Sequence, residues 1–154
     1  MIIVGLSKNI DRDVLFTKTL NAYCNVQSIA YEPYALKKDA DGKPYIEGNS
    51  IKVSISHSGE YLAIALSNND VGIDIQEHVE ADYLRIAKRY DFSAESLLDF
   101  YKKYTLAECE VKRTNGTLPN FLRLANQLNG IHYDGIKGYT LSITPIDEYT
   151  IIEF

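Results

Sequence analysis

Between residues 51 and 75 β-branched and apolar side chains alternate in short runs bounded by turn residues, the pattern of strands. The pattern predicts three short strands, at 51–56, 61–67 and 71–75. An earlier strand is expected at 1–6, followed by a helix over about 11–23 in which Phe16, Leu20 and Tyr23 fall on one face. Residues 31–40 fit neither period. Asp41-Gly42-Lys43-Pro44 reads as a turn, since Asp-Gly favours positive φ and proline fixes its own, and a short strand at 45–46 follows.

Beyond Gln76 the period lengthens to that of helices. One helix is expected over 80–90, with Tyr83, Ala87 and Tyr90 on a stripe, and a longer one from about Ser93, as N-cap, to about Arg113. Asn115-Gly116 stops it. Pro119 opens a further helix through Leu128, with Phe121, Leu124 and Leu128 facing inward, and Asn129-Gly130 closes it. Strands at 139–144 and 149–154 finish the chain.

Those last strands echo an earlier stretch. Setting 141–152 (LSITPIDEYTII) on 53–64 (VSISHSGEYLAI) matches Ser, Ile, Glu, Tyr and the final Ile, and Val4-Gly5-Leu6 resembles Val71-Gly72-Ile73. The order of these matches suggests two diverged copies of a strand, helix and hairpin unit, at 1–69 and 70–154, packed as a pseudo-dimer within one domain. The copies differ in their polar residues: His57-Ser58 in the first stands where the second has Pro145-Ile146, and Asp74 in the second stands where the first has Ser7. A site built from both halves would lie in the cleft between them.

Composition narrows the class. The 154 residues suffice for one compact domain or two small lobes, and the 45% hydrophobic and 24% charged shares are those of an ordinary globular protein. A net charge of −5 argues against general binding to nucleic acid or to an anionic membrane. No apolar run approaches the ~20 residues of a membrane helix, and MIIVGLSKNID lacks the form of a signal peptide, so a cytoplasmic location is expected. Asn115-Gly116-Thr117 is then a turn. Cys24 and Cys109 form no zinc-type cluster and read as buried thiols.

Candidate chemistry centres on His57 and Asp74, because polar groups within or at the ends of buried strands cost free energy unless paired or ligand-bound. On the longest helix Leu97, Tyr101, Tyr104, Glu108 and Lys112 share a face that starts apolar and becomes charged. Each has a plainer reading: His57 as a hairpin residue bonded to backbone, Asp74 as a cap or turn, Glu108 and Lys112 as a surface ion pair. Ser56-His57 is no hydrolase dyad, as neighbours on a strand point to opposite faces, and neither a P-loop nor HExxH is present. The 12 tyrosines are spread along the chain and read as core and interface filling.

Taken together these residues form an ordered set. Gly42-Lys43-Pro44, Val53-Ser54-Ile55-Ser56-His57-Ser58-Gly59, Gly72-Ile73-Asp74-Ile75-Gln76 and Tyr104-Thr105-Leu106-Ala107-Glu108-Cys109-Glu110-Val111-Lys112 follow one another with spacing that resembles the 4′-phosphopantetheinyl transferase superfamily, in its two-lobed type. That resemblance, covering about 42–116, implies an α+β fold: a pseudo-dimer of two similar α+β lobes with mainly antiparallel strands. It implies transfer of the phosphopantetheine arm of coenzyme A to a serine of an acyl or peptidyl carrier protein, with release of adenosine 3′,5′-bisphosphate. Asp74, Gln76 and Glu108 would hold Mg2+; Lys43, Pro44, Ser56 and His57 would bind the nucleotide end; Glu108 and Lys112 would be catalytic.

The chain also departs from the family pattern W-x-x-K-E-A-x-x-K. Tyr104 replaces tryptophan, Ala107 replaces a lysine whose charge is expected near the phosphates, and Gln76 stands where many relatives have a carboxylate. The stretch before Gly42 is short and poor in arginine. These changes motivate an alternative, a non-catalytic homologue that keeps the fold to bind a nucleotide or a protein. Carriers are usually acidic, so a docking patch would have to be local; Lys37, Lys38, Lys102 and Lys103 are the candidates, with ordinary solvated surface as their plainer reading.

Overall fold

The computed structural model describes residues 1–80 and 82–154. In chain order the elements are β1 (Ile2–Lys8), α1 (Arg12–Gln27), β2 (Leu36–Lys38), β3 (Pro44–Ile46), β4 (Lys52–Ser58), β5 (Tyr61–Ser67) and β6 (Gly72–Glu77). There follow α2 (Tyr83–Arg89), α3 (Leu97–Thr114), α4 (Leu118–Arg123), a 3-10 turn at Ala125–Gln127, β7 (Ile131–Tyr133), β8 (Tyr139–Thr144) and β9 (Tyr149–Glu153). The fold is mixed α+β, with mostly antiparallel pairing.

Two larger sheets carry the architecture. The first has the order β4-β5-β1-β9, the second β6-β8-β7, and β2 pairs with β3 as a separate ribbon. Alternation divides the first sheet cleanly. Ile3, Leu62, Ile64 and Leu66 face α1 and meet Leu15, Phe16 and Leu20, whereas Ile2, Val4, Leu6, Ala63 and Ala65 face the second sheet. There they meet Ile73, Ile75, Leu141 and Ile143, so both faces of β1 and β5 are buried. Each fully buried Leu or Ile contributes roughly 2 kcal/mol through its removal from water. On the far side of the second sheet lies α3, which also carries α2 and α4 through a cluster built on Phe100, Tyr101, Ala107 and Leu122.

The expected hairpin between the last two strands does not form. Instead β9 runs parallel to β1, from Ile2 opposite Tyr149 to Leu6 opposite Glu153, while β8 pairs with β6 and β7. The physical reason lies in β1: buried on both faces, it would leave a row of unpaired backbone groups along its second edge, and β9 closes that edge. The strand order therefore does not divide at residue 70.

Several boundaries also move. The N-cap of α3 is Ser96, whose hydroxyl accepts from Asp99 N, while Ser93 takes the Lys103 ammonium on its carbonyl and hydroxyl oxygens. The helix expected through Leu128 is broken after Arg123, and Leu124 is 45% exposed. Leu122 and Ala125 are buried in its place, because Leu118, Phe121, Leu122 and Ala125 also satisfy the helical period. The segment expected as a helix from Glu80 starts at Tyr83, capped by Asp82, and Ala81 lies outside the described residues.

Candidate functional site

Strand β6 turns Ile73 and Ile75 toward the shared core, and its period of two then directs Asp74 and Gln76 toward α3. Gly72 brings that helix close: a Cβ at this position would run into the carbonyl oxygen of Cys109. One turn further along α3, Lys112 reaches back to the strand. Its ammonium donates to Asp74 Oδ1 at 2.7 Å and to the carbonyl of Ile73 at 2.9 Å. From β4, the Ser56 hydroxyl donates to Asp74 Oδ1 at 2.8 Å and accepts from Ile75 N at 3.1 Å. Gln76 Nε2 donates to Asp74 Oδ2 at 3.1 Å. Asp74, with its side chain 3% exposed, is thus a buried carboxylate whose charge is balanced by the Lys112 cation and further satisfied by the Ser56 and Gln76 donors.

Ser56 belongs to a longer device. Ser54, Ser56 and Ser58 accept from the backbone N–H groups of Ile73, Ile75 and Glu77 at 3.0, 3.1 and 2.9 Å. Alternate hydroxyls of β4 therefore satisfy the amides along one edge of β6, joining the two sheets without a backbone ladder. The alternation of serines in VSISHS is the sequence signal for this stitch.

Tyr104, Glu108 and Lys112 follow one another at helical spacing on α3. Burial pushes the Glu108 carboxyl up, and the charge of Asp74 pushes it further, against Lys112, which draws it down. Burial also raises the Tyr104 phenol, with help from Glu108 and Asp74, to about 12. The ring of Tyr104 stacks on Phe100 with centroids 5.7 Å apart. Glu108 is therefore a partly desolvated carboxylate of raised proton affinity beside a neutral phenol and an ammonium, the properties of a proton acceptor.

Lys112 also opens onto a crevice. A cavity of about 570 Å3 is bounded by Asp41, Lys43, Pro44, Ile55, Lys112 and Asn115. A second, of about 310 Å3, shares Lys43, Pro44 and Asn115 and continues past Tyr45, Ile51 and Val71. The turn that supplies Lys43 is held by Asp39, whose Oδ1 accepts from Asp41 N and Lys43 N, both at 2.9 Å, with Gly42 at φ +82°.

The structure brings Ser56, Asp74, Gln76 and Lys112 into one hydrogen-bonded group, with Glu108 close enough to feel the charges of Asp74 and Lys112, and sets Lys43 and Pro44 across the crevice from Lys112. His57 stands apart. It is exposed, lines neither cavity, and lies two residues beyond Ile55, which does line the larger one. Ala107 is fully buried in the helical cluster, so the position expected to bring charge toward phosphates packs instead against α2 and α4. Lys37, Lys102 and Lys103 are tied to Glu47, Asp134 and Asp99, which neutralises most of the lysine patch expected from the sequence.

Among the described residues no set of three or more His, Cys, Asp and Glu side chains could hold a metal. Asp74, Glu108 and Gln76 offer two carboxylates and an amide, a donor set that fits Mg2+ shared with a ligand's phosphates and does not make an all-protein cage. Burial first and the charge of Asp74 second raise the Glu108 carboxyl, so the two acids stand near enough to repel. Among the described residues no helix is long and apolar enough to cross a membrane.

No family model matches the chain. A curated protein that is similar to it, 31% identical over 98 residues, is the 4′-phosphopantetheinyl transferase gsp of Aneurinibacillus migulanus. The similarity covers 56% of this chain, which spans 40% of the length of that relative and so supports the transferase superfamily over the matched segment.

Proposed function

We propose that the chain transfers the 4′-phosphopantetheine arm of coenzyme A to a serine of an acyl or peptidyl carrier protein in the cytoplasm. The observation that carries this reading is the ion pair of Asp74 with Lys112, which lines the crevice bordered by Lys43 and Pro44, with Glu108 near enough to feel both charges. Lys43 and Pro44 would line the nucleotide end, with Ser56 and His57 on the neighbouring strand. Both compartments of the crevice share Lys43, which suits a ligand with an apolar heterocycle at one end and a pyrophosphate at the other.

In the reaction the carrier serine oxygen forms a bond to the phosphorus next to the pantetheine arm, and the bond from that phosphorus to the bridging oxygen breaks. Adenosine 3′,5′-bisphosphate leaves with the electron pair. Glu108, which feels the charges of both Asp74 and Lys112, accepts the serine proton. Lys112 donates to the phosphate oxygens on which charge accumulates, exchanging one anionic partner, Asp74, for another. Asp74, Glu108 and the Gln76 carbonyl would hold Mg2+, which when bound neutralises pyrophosphate charge.

Fluorescent coenzyme A, Mg2+ and a panel of apo carrier proteins provide the test. Labelled carrier is expected, with Glu108→Gln lowering kcat by roughly 100-fold or more and Gln76→Glu reducing the Mg2+ concentration needed. Absence of label on every carrier, beside an active control enzyme, removes the reading. A second reading, a nucleotide-binding homologue without transfer, draws on Asp74, whose two oxygens are already satisfied by Lys112, Ser56 and Gln76. Calorimetry separates the two: coenzyme A binding strengthened by Mg2+ supports transfer, and Mg2+-independent binding without labelling supports the alternative.

A further inference from the structure

The cations of this protein are unevenly paired. Among the described residues, Lys8, Arg12, Lys37, Lys52, Lys102, Lys103, Lys112 and Arg113 are all ion-paired. Lys18, Lys38, Lys43 and Lys137, on other segments, form no ion pair among the described residues, and neither do Arg85, Lys88 and Arg89 on α2 and Arg123 at the end of α4, which are exposed and lie on one helical layer.

Packing gathers them. The guanidinium carbons of Arg89 and Arg123 lie 5.5 and 5.9 Å from the centroid of the Tyr90 ring, so one aromatic side chain holds cations from two helices together. Arg85 precedes Arg89 by four residues and shares its helical face. Beside them Leu84 and Leu124 are 58% and 45% exposed, which adds apolar carbon to a cationic surface. Asp82 and Asp91 flank α2, but Asp82 is used as its N-cap and neither acid ion-pairs with these side chains.

In a chain with 16 Lys and Arg against 21 Asp and Glu, four cations gathered on one face, with no ion pair among the described residues, make a local patch opposite in sign to the net charge. We propose that this α2–α4 face docks an acidic carrier protein, pairing its carboxylates with Arg85, Lys88, Arg89 and Arg123 and its apolar residues with Leu84 and Leu124. The inference rests on the transfer reading for its partner. The same helical layer contains α3, the element that carries Glu108 and Lys112.

The test titrates fluorescently labelled apo acyl carrier protein with the full chain at low and raised salt. The native chain is expected to bind with a Kd that rises with salt. The Arg85→Glu, Arg89→Glu, Arg123→Glu variant is expected to raise Kd at least ~10-fold and to flatten the salt dependence. Its glutamine counterpart should move Kd the same way by less, which separates lost charge from lost fold. Lys37→Glu with Lys38→Glu should leave Kd unchanged. Coenzyme A binding by calorimetry should match that of the native chain in every variant.

An unaltered carrier Kd or transfer KM in the triple variant overturns the docking surface and leaves the transfer reading standing. Binding of vesicles rich in phosphatidylserine by the native chain, with no carrier binding, overturns it in favour of a membrane. Absence of coenzyme A binding and labelling removes the transfer reading instead, whatever the carrier titration gives.

Discussion

The two sheets turn opposite kinds of surface toward their helices. Under α1 the first sheet presents Ile3, Val53, Leu62, Ile64 and Leu66. Under α3 the second presents Asp74, Thr140, Ser142 and Thr144, all buried. Both helices approach through a glycine in a similar tripeptide, Val4-Gly5-Leu6 and Val71-Gly72-Ile73: a Cβ on Gly5 would strike Thr19 of α1, and a Cβ on Gly72 would strike Cys109 of α3. The first interface gains stability by excluding water from apolar carbon, whereas the second must satisfy each polar atom it covers.

It does so unevenly. Ser142 Oγ meets Thr105 Oγ1 at 2.6 Å and His132 Nδ1 at 2.8 Å, and Thr140 Oγ1 meets His78 Nε2 at 2.6 Å. Thr144 Oγ1 has no partner among the described residues. A polar interior adds no stability that an apolar one would not match or exceed, so its presence beside Asp74 and Lys112 is what a functional surface looks like from within the fold.

The sharpest way to break the comparison is to remove the cation that makes the second interface tolerable. Lys112→Met leaves Asp74 buried with its charge uncompensated and should cost roughly 3–5 kcal/mol in urea unfolding. Adding Asp74→Asn should recover part of that loss, since the amide carries no charge. If Lys112→Met costs the same in the native and the Asp74→Asn backgrounds, the ion pair contributes nothing particular at this position. No buried ion pair occurs under α1, so the first interface holds no substitution with this signature among its described residues.

Next come the glycines. Gly72→Ala forces α3 backbone away from β6, because the obstacle is a carbonyl oxygen, and roughly 3 kcal/mol or more is expected. In Gly5→Ala the obstacle is the Thr19 side chain, whose hydroxyl donates to the Leu15 carbonyl at 2.7 Å, so the cost should be smaller, about 1–2 kcal/mol. Thr19→Ala should relieve Gly5→Ala in a double-mutant cycle. If both alanine variants cost the same and neither is relieved, the contrast between side-chain and backbone contact is wrong.

Much of this is legible in the chain itself. Alternation and turn residues locate β4, β5, β6 and β8, and the placing of Ile73 and Ile75 around Asp74 points to a polar group within a buried strand. What escapes is relational. The move of β9 into the first sheet depends on the unpaired edge of β1, which no local pattern in 149–153 encodes. The three-residue β7 is too short for its period to register. The motif position of Ala107 suggests a place near phosphates, whereas helical phase sets it opposite the face shared by Thr105 and Cys109.

The mildest of these effects separates the sheets by pH. Burial lowers the proton affinity of His78, and burial together with the charge of Lys102 lowers that of His132, with Asp134 opposing. Both lie at the polar second sheet, bonded to Thr140 and Ser142. The unfolded chain takes up these protons near the usual 6.5, while the folded protein resists until lower pH. Stability is therefore full above 6.5, falls as pH drops through the window between that value and the lowered folded pKa, and levels off beneath it. Amide exchange should register the loss first in β6 and β8, with β1 and β5 protected to lower pH. Replacing both histidines by glutamine should flatten the response in this window, and an undiminished slope in that double variant would place the acid sensitivity elsewhere, outside the hydroxyl-lined interface under α3.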